Sequence, residues 1–510
     1  MILRETGSAV ADCSTERMVL KTKISAWYYR SLASLTDVRE ACCWAPILDF
    51  AVQRSSLRPV LRSPTRPGVS TQSRHRATEL LYRESFLAAI PLSEQVEMGD
   101  ANPSKGVCPE MEVLLRCAQA YLNPQADSGP QLLLDDSVSQ PMLLELASAH
   151  GMAPILYRAV AASPDSVPKA FWSRLQAMGR SEMIWALHLT KQLVKLLDDF
   201  ESRQIPAVAY KGPVLAASAY GDIALRGFRD LDIIVHKRDM FRARDALLTR
   251  GYAAVAAPAE GTPLREDGFQ QLKSAWRFVH PKSSVPVDLQ WRATAVRCFN
   301  SPVERDNFWE TLEQGGLAGK TVRTIPAEAL LQILCLHGCR HLWERLIWVC
   351  DVAALIQSQP TLDWSQLMAD AKLQGNQRVV LTGVLIASRL LGAQVPRDVL
   401  VRAEWDHVAC RLANEACHRL QYEPERAIGA VEGFSFHLQM LERFADRVKY
   451  FQYLLGSLVT PNSQDRAAVP IPGALSFLYY SVRPLRLILT YGLMLLRLPA
   501  KMFVGNDFRR

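Results

Sequence analysis

Lys211-Gly212-Pro213, followed past a short apolar segment by Arg226-Gly227-Phe228-Arg229-Asp230-Leu231-Asp232 and the apolar run Ile233-Ile234-Val235, is the stretch of this chain best suited to chemistry. Asp230 and Asp232 stand at the mouth of a strand, and a period of two points both carboxylates to one face. Two such oxygens can share a divalent metal. Mg²⁺ prefers one or two carboxylates together with phosphate oxygens, which makes nucleotide chemistry the first hypothesis. An isolated Asp-x-Asp is also what an ordinary strand start or turn produces.

A third carboxylate, Asp288, lies in a second apolar strand, Val287-Asp288-Leu289-Gln290-Trp291. Two-metal nucleotidyl transfer needs such a trio. One metal binds the triphosphate while the other lowers the pKa of the attacking hydroxyl. Lys211-Gly212 at a strand-to-helix junction allows close backbone approach and leaves N–H groups at a helix start, where phosphate is favoured. Arg226 and Arg229 are candidates to neutralise triphosphate charge.

The order strand-Lys-Gly, helix, Arg-x-x-x-Asp-Leu-Asp-strand, then hydrophobic-Asp-Leu-x-Trp resembles the uncharacterised nucleotidyltransferases of the DNA polymerase β-type superfamily. The resemblance spans roughly Pro109 to Arg486 and is strongest from Tyr210 to Trp291. It implies an α+β or α/β fold, a small mixed β-sheet core flanked by N- and C-terminal helical domains. It also implies Mg²⁺- or Mn²⁺-dependent transfer of a nucleoside monophosphate from an NTP. On that match Gly212 takes the place of the superfamily's glycine, Asp230 and Asp232 that of the metal-binding pair, and Asp288 that of the third carboxylate. Two positions depart from the pattern. Pro213 stands where a serine is usual, so phosphate contacts fall to backbone N–H groups, Lys211 and the arginines. Gln290 stands where the family often has histidine, which leaves the role of that side chain open.

A second constellation runs from Cys335 to Asp351. At about 100° per residue on one continuous helix, His337, His341, Glu344, Trp348 and Asp351 share a stripe, with Cys335, Cys339, Leu342, Leu346 and Cys350 opposite. Ligands pointing in opposite directions argue against a mixed Cys/His zinc site. The polar stripe reads as the acceptor or nucleotide side of the cleft, as a metal site through His337 and His341, or as a buried polar seam between domains. The resembled family carries a similar His-x-x-x-His-x-Trp helix.

The elements that must position these residues follow from periodicity. Helices are expected at Glu110 to Leu122, Pro141 to Ala162 and Pro168 to Arg203, the last with Ile184, Leu187, Leu189, Leu193 and Leu197 on its apolar face. Strands are expected at Ile205 to Tyr210, Leu231 to Val235, Tyr252 to Ala256, and a hairpin of Trp276 to His280 with Val285 to Trp291. A helix from Arg238 to Arg250 closes at Gly251. From Pro326 the pattern is helical again, to about Leu458. The expected organisation is a basic extension at 1–105, a helical domain at 106–204, the nucleotidyltransferase core at 205–295, a second helical domain at 326–458, and a loop with an apolar and basic helix at 459–510.

Composition is that of a globular protein: 510 residues, 49% hydrophobic and 22% charged, with a formal net charge of +8. That charge mildly favours anionic partners. Eleven scattered cysteines without a Cys-x-x-Cys pair and no secretory signal pattern point to a reduced, cytoplasmic protein. Residues Arg54 to Arg76 hold six Arg, no Lys and no acid, and show no sustained period. Low order is expected there, and a start at Met98 or Met111 would remove it.

At the other end, residues 477–505 are apolar, aromatic and basic but interrupted by Arg486 and Arg497. They fit either a terminal helix docked on the protein or contact with the inner face of a membrane. The acceptor stays open between a sugar or envelope polysaccharide precursor, a small molecule, a tRNA end and a protein hydroxyl. The rivals are a toxin-type enzyme acting on tRNA and an inactive nucleotide-binding or scaffold protein. No motif defines an oligomeric state.

Overall fold

The structure, a computed structural model, describes residues 106–123, 137–255, 275–294, 298–461 and 463–489. The basic extension at 1–105, the end of the strand expected to reach Ala256 and the last part of the 477–505 segment lie outside them. The chain divides into two units, one running up to Arg447 and one from Val448 onward.

The larger unit opens with α1 (Pro109–Leu122), α2 (Gln140–Ala149), α3 (Ala153–Ala161) and the long α4 (Lys169–Ser202). The single helix expected from Pro141 to Ala162 is two. Gly151 takes a φ of +73°, a left-handed turn that glycine adopts without the clash a Cβ would bring, and Pro154 then starts α3. On α4, Leu189, Leu193, Leu196 and Phe200 are buried, as the period requires. Ile184 and Leu187, expected on the same face, are exposed. The buried stripe continues through Ala186, Glu182, Leu175 and Phe171, and at about 100° per residue Ile184 and Leu187 fall on the opposite side of the helix from it.

The sheet has five strands: β1 (Ala207–Ala209), β2 (Leu231–Val235), β3 (Ala253–Ala254), β4 (Ala275–Val279) and β5 (Pro286–Gln290). Their spatial order is β1-β2-β5-β4-β3, with β2 and β5 parallel and every other pair antiparallel. The mixed sheet implied by the resemblance is therefore present. Between the strands lie α5 (Pro213–Ala219) and α6 (Met240–Thr249), closed past Arg250 by Gly251 at φ +83°.

Alternation sorts the strand residues onto two faces. Leu231, Ile233, Val235, Trp276, Phe278, Val287 and Leu289 enter one hydrophobic core with Leu193, Leu196 and Phe200 of α4 and Met240, Ala243 and Leu247 of α6. Asp232, Arg277, Asp288 and Gln290 fall on the other face. A second hairpin, β6 (Glu313–Leu317) with β7 (Lys320–Thr324), was not expected from sequence. Glu313-Gln314-Gly315-Gly316 and Lys320-Thr321 carry little apolar alternation, and only Leu317 and Val322 reach the core.

The helical part comprises α7 (Ala327–Arg340), α8 (Leu346–Ser358), α9 (Trp364–Gln374), α10 (Gln377–Leu391), α11 (Arg397–Trp405), α12 (His407–Tyr422) and α13 (Ala430–Met440). The continuous helix through His337 and Asp351 is thereby corrected. The chain breaks at 341–345, where Leu342 and Trp343 take φ of +57° and +55°. Packing explains the break. Trp343 is fully buried, and its ring occupies slots that Gly338 on α7 and Gly383 on α10 leave open; a Cβ at Gly338 would collide with the ring, and one at Gly383 would crowd it and collide with Cys335 Sγ. Arg419 of α12 donates to the Leu342 carbonyl that the turn would otherwise leave unpaired.

After α14 (Phe444–Val459), the smaller unit shows α15 (Ser463–Ala468) and α16 (Tyr479–Leu487). Asp465 is buried and pairs with Arg483 and Arg486, so two basic residues of the C-terminal segment serve an internal ion pair. Among the described residues no helix is long and apolar enough to cross a membrane.

Candidate active site

The register of the three central strands builds the site. Asp232 on β2 stands opposite Asp288 on parallel β5, and Asp288 stands opposite Arg277 on antiparallel β4. Asp230 immediately precedes β2. The Arg277 guanidinium bridges two of these carboxylates. Its Nε donates to Asp288 Oδ1 at 2.7 Å, and its Nη2 donates to Asp230 Oδ2 at 2.7 Å and to Asp288 Oδ2 at 3.3 Å. The Asp230 and Asp288 oxygens are thus no farther apart than the sum of the two Nη2 distances.

Asp232 has its own partners. Lys211 Nζ lies 3.3 Å from Oδ2, and Gln290 Nε2 donates to Oδ1 at 2.6 Å. Tyr210 donates in turn to Gln290 Oε1 at 3.4 Å, and its ring lies 4.8 Å from the Lys211 ammonium. Burial works to lower the Lys211 pKa, but Asp232, Tyr210 and Asp230 carry it above the ordinary lysine value, so the ammonium stays charged. Burial pushes the Tyr210 phenol up to about 12.

Gly212 shapes the approach to this face. Its φ of 57° and ψ of −129° belong to glycine, and it caps the N-terminus of α5 with Pro213 in the first turn. That helix has only seven residues, and Pro213 withdraws one amide. Any phosphate contact here therefore rests on the Lys211 ammonium and local N–H groups rather than on a long helix.

The two arginines expected on phosphate are both engaged in ion pairs. Arg226 is buried, with Nε and Nη2 each 2.7 Å from Asp351, whose carboxylate also accepts from Tyr220 Oη at 2.7 Å. Binding phosphate would require breaking this buried bidentate pair. Arg229 is more than half exposed and forks onto Glu182 of α4. Asp351, expected on the acceptor side, is the buried partner of Arg226.

His337, His341 and Trp348 meet across the broken helix, with ring centroids 4.7 Å apart for the two histidines and 5.5 and 4.9 Å from each to the indole. Burial first, then Lys211, His341, Arg340 and Arg226, holds the His337 pKa well below the ordinary imidazole value. It is a neutral ring beside the Lys211 side of the site. The Glu344 N–H donates to the His341 carbonyl at 3.2 Å, and its charge reaches Arg419. The cysteines Cys335, Cys339 and Cys350 are buried, free and pushed up by burial, as expected of core thiols.

As the side chains stand, no group of three or more His, Cys, Asp or Glu among the described residues is disposed to hold a metal ion. At the carboxylates, Arg277 takes the central position. The donor types nevertheless suit a hard cation: three carboxylates on one face of adjacent strands, two of them bridged by Arg277 and the third paired with Lys211, remain partly open to solvent.

With this geometry in place, comparison with known proteins is informative. Residues 136–392 match the family model of the uncharacterised nucleotidyltransferases. The chain belongs to this family. The matched span contains the whole described sheet, Lys211-Gly212, the three aspartates and the helices carrying His337 and Asp351. A solved structure, an antigenic nucleotidyltransferase-like protein from Paracoccidioides brasiliensis, is similar at 14% identity. The alignment covers 42% of this chain and 97% of that one, with a TM-score of 0.27. No curated protein matches.

Sequence reasoning missed Arg277, Tyr210 and the use made of Gln290. A signal for Arg277 was available. Pairing the predicted hairpin about Pro281-Lys282-Ser283-Ser284 places Arg277 opposite Asp288, on the same face.

Proposed function

We propose that this nucleotidyltransferase-family chain transfers a nucleoside monophosphate from an NTP to a hydroxyl or phosphate acceptor, with Asp230, Asp232 and Asp288 holding Mg²⁺ or Mn²⁺. The reading rests on Asp232 facing Asp288 in register on the parallel strands while Arg277 bridges Asp288 to Asp230, so that the three carboxylates share one face. A bound divalent ion would supply charge neutralisation for the triphosphate and a lowered pKa for the attacking hydroxyl.

The protein's own groups divide the remaining work. Lys211 orients Asp232 from one side and presents its ammonium to phosphate. Gln290 fixes the other carboxylate oxygen and is itself held by Tyr210. Gly212 keeps the chain clear of the approaching phosphates, and Arg229, the more exposed of the two expected arginines, can reach them by leaving Glu182. His337, His341 and Trp348 form an aromatic wall suited to positioning an acceptor. Catalysis then comes mainly from positioning and charge complementarity.

A second reading, nucleotide binding without transfer, has the Arg277 bridge in its favour, because a guanidinium already neutralises two of the carboxylates. Incubation with Mg²⁺ and each NTP labelled at the α-phosphate, with fractionated cell extract as the acceptor source, separates the two. Transfer of label to a glycan, lipid-linked, tRNA or protein fraction supports the enzyme and names the acceptor class. Binding of NTP without transfer to any fraction favours the second reading.

A further inference from the structure

Arg277 makes three donor contacts to Asp230 and Asp288, which is unusual company for residues expected to bind a metal. Three carboxylates face two cations here, Lys211 on Asp232 and Arg277 on the other pair, so the face carries about one net negative charge without any ligand. A divalent ion entering among the carboxylates would meet the guanidinium both as a competitor for the same oxygens and as a like charge. Arg277 is anchored by β4, the strand paired with β5, so displacement moves only the end of a long side chain.

We propose that Arg277 is an internal counter-ion that competes with the divalent metal for Asp230 and Asp288. Metal binding displaces its guanidinium, which stays tethered beside the site and takes up a phosphate of the incoming NTP. This rests on the reading of the three aspartates as metal ligands. Two consequences follow. Metal alone binds weakly, because it must displace an ion pair; metal and nucleotide together bind more strongly, because the displaced guanidinium gains a new anionic partner. Burial alone would lower the Arg277 pKa, but Asp288 and Asp230 raise it, so the guanidinium does not leave by losing its proton.

The test is a Mn²⁺ titration followed by electron paramagnetic resonance, which counts free ion and needs no turnover. Wild type, Arg277→Gln, Arg277→Lys and Arg277→Gln/Asp288→Asn are compared after circular dichroism confirms folding. Arg277→Gln should bind Mn²⁺ about tenfold or more tightly than wild type, and Asp288→Asn added to it should remove the gain. Lysine cannot bridge both carboxylates with one ammonium, so Arg277→Lys should fall between them. It keeps the test decisive if the glutamine variant does not fold. A non-hydrolysable NTP should tighten Mn²⁺ binding more in wild type than in either variant. Equal Mn²⁺ affinity in wild type, Arg277→Gln and Arg277→Lys, with binding lost in Arg277→Gln/Asp288→Asn, overturns the counter-ion role and leaves the metal site standing. Absence of Mn²⁺ binding from every protein, with and without nucleotide, overturns both.

Discussion

Gln290 donates a 2.6 Å hydrogen bond from Nε2 to Oδ1 of Asp232, across the parallel pair β2 and β5. The position where the resembled family often has histidine therefore still supplies a donor to the central carboxylate. Partners that orient a metal ligand typically matter 10- to 100-fold for metal affinity or activity. Gln290→Leu should lower transfer by about that factor without unfolding the protein, and Gln290→His should retain most of it. Steady-state kinetics with matched thermal melts would check this. A leucine variant as active as wild type would remove Gln290 from the site.

Gly212 has a backbone conformation that side-chain-bearing residues avoid, while a Cβ there would meet the Asp230 carbonyl oxygen only at ordinary van der Waals distance, 3.5 Å. The cost of Gly212→Ala should therefore come from the backbone and amount to about 1–3 kcal/mol. Denaturant unfolding measures the loss. An unchanged midpoint would mean that the turn relaxes freely.

Arg226 and Asp351 form a buried, bidentate pair between the segment before β2 and α8, reinforced by Tyr220. Removing one partner leaves the other charge buried. Asp351→Ala should cost about 3–5 kcal/mol, whereas Arg226→Met/Asp351→Leu should recover much of it. Urea titrations of the single and double variants decide this. A mild single-variant effect combined with a large loss of nucleotide affinity would instead return Arg226 to the phosphate site.

His150 and His437 are fully buried, and burial foremost lowers each from the ordinary 6.5 to about 4. Between those values the unfolded chain binds protons that the folded chain does not. Their contribution to stability is therefore complete above about pH 6.5 and is lost as pH falls toward about 4. His437 Nε2 meets the Cys339 and Arg340 carbonyls at the end of α7, contacts that favour the charged ring, and burial outweighs them. Unfolding midpoints measured at steps across this range should fall with acid, and His437→Gln should flatten part of the slope. Parallel slopes in the two proteins would contradict the assignment of this acid sensitivity to His437.

Much of the site's framework was legible because its grammar is local. Lys211-Gly212, the Asp230-Leu231-Asp232 strand and the hairpin containing Asp288 each carry their period and turn residues in a few positions. The structure brings Asp230, Asp232 and Asp288 onto one face. What was not legible depends on distant partners. The break at 341–345 is driven by Trp343 entering slots made by Gly338 and Gly383, and helical periodicity alone runs straight through it. Arg226 looked available for phosphate because its partner, Asp351, lies 125 residues away. Ile184 and Leu187 group with Leu189 and Leu193 by apolar type, although the buried stripe of α4 passes through Glu182 and Ala186 and leaves both on the opposite side.

The most direct test of the central claim is transfer from an α-labelled NTP by wild type, Asp230→Asn and Asp232→Asn in Mg²⁺, with the acceptor fraction present and nucleotide binding measured in parallel. Wild type should transfer label and lose that ability on chelation. Both variants should fold and lose at least about a hundredfold in transfer, because the charge complementarity that catalyses the step is reduced. Transfer unaffected by either substitution, or NTP binding without transfer in all three proteins, would contradict the account.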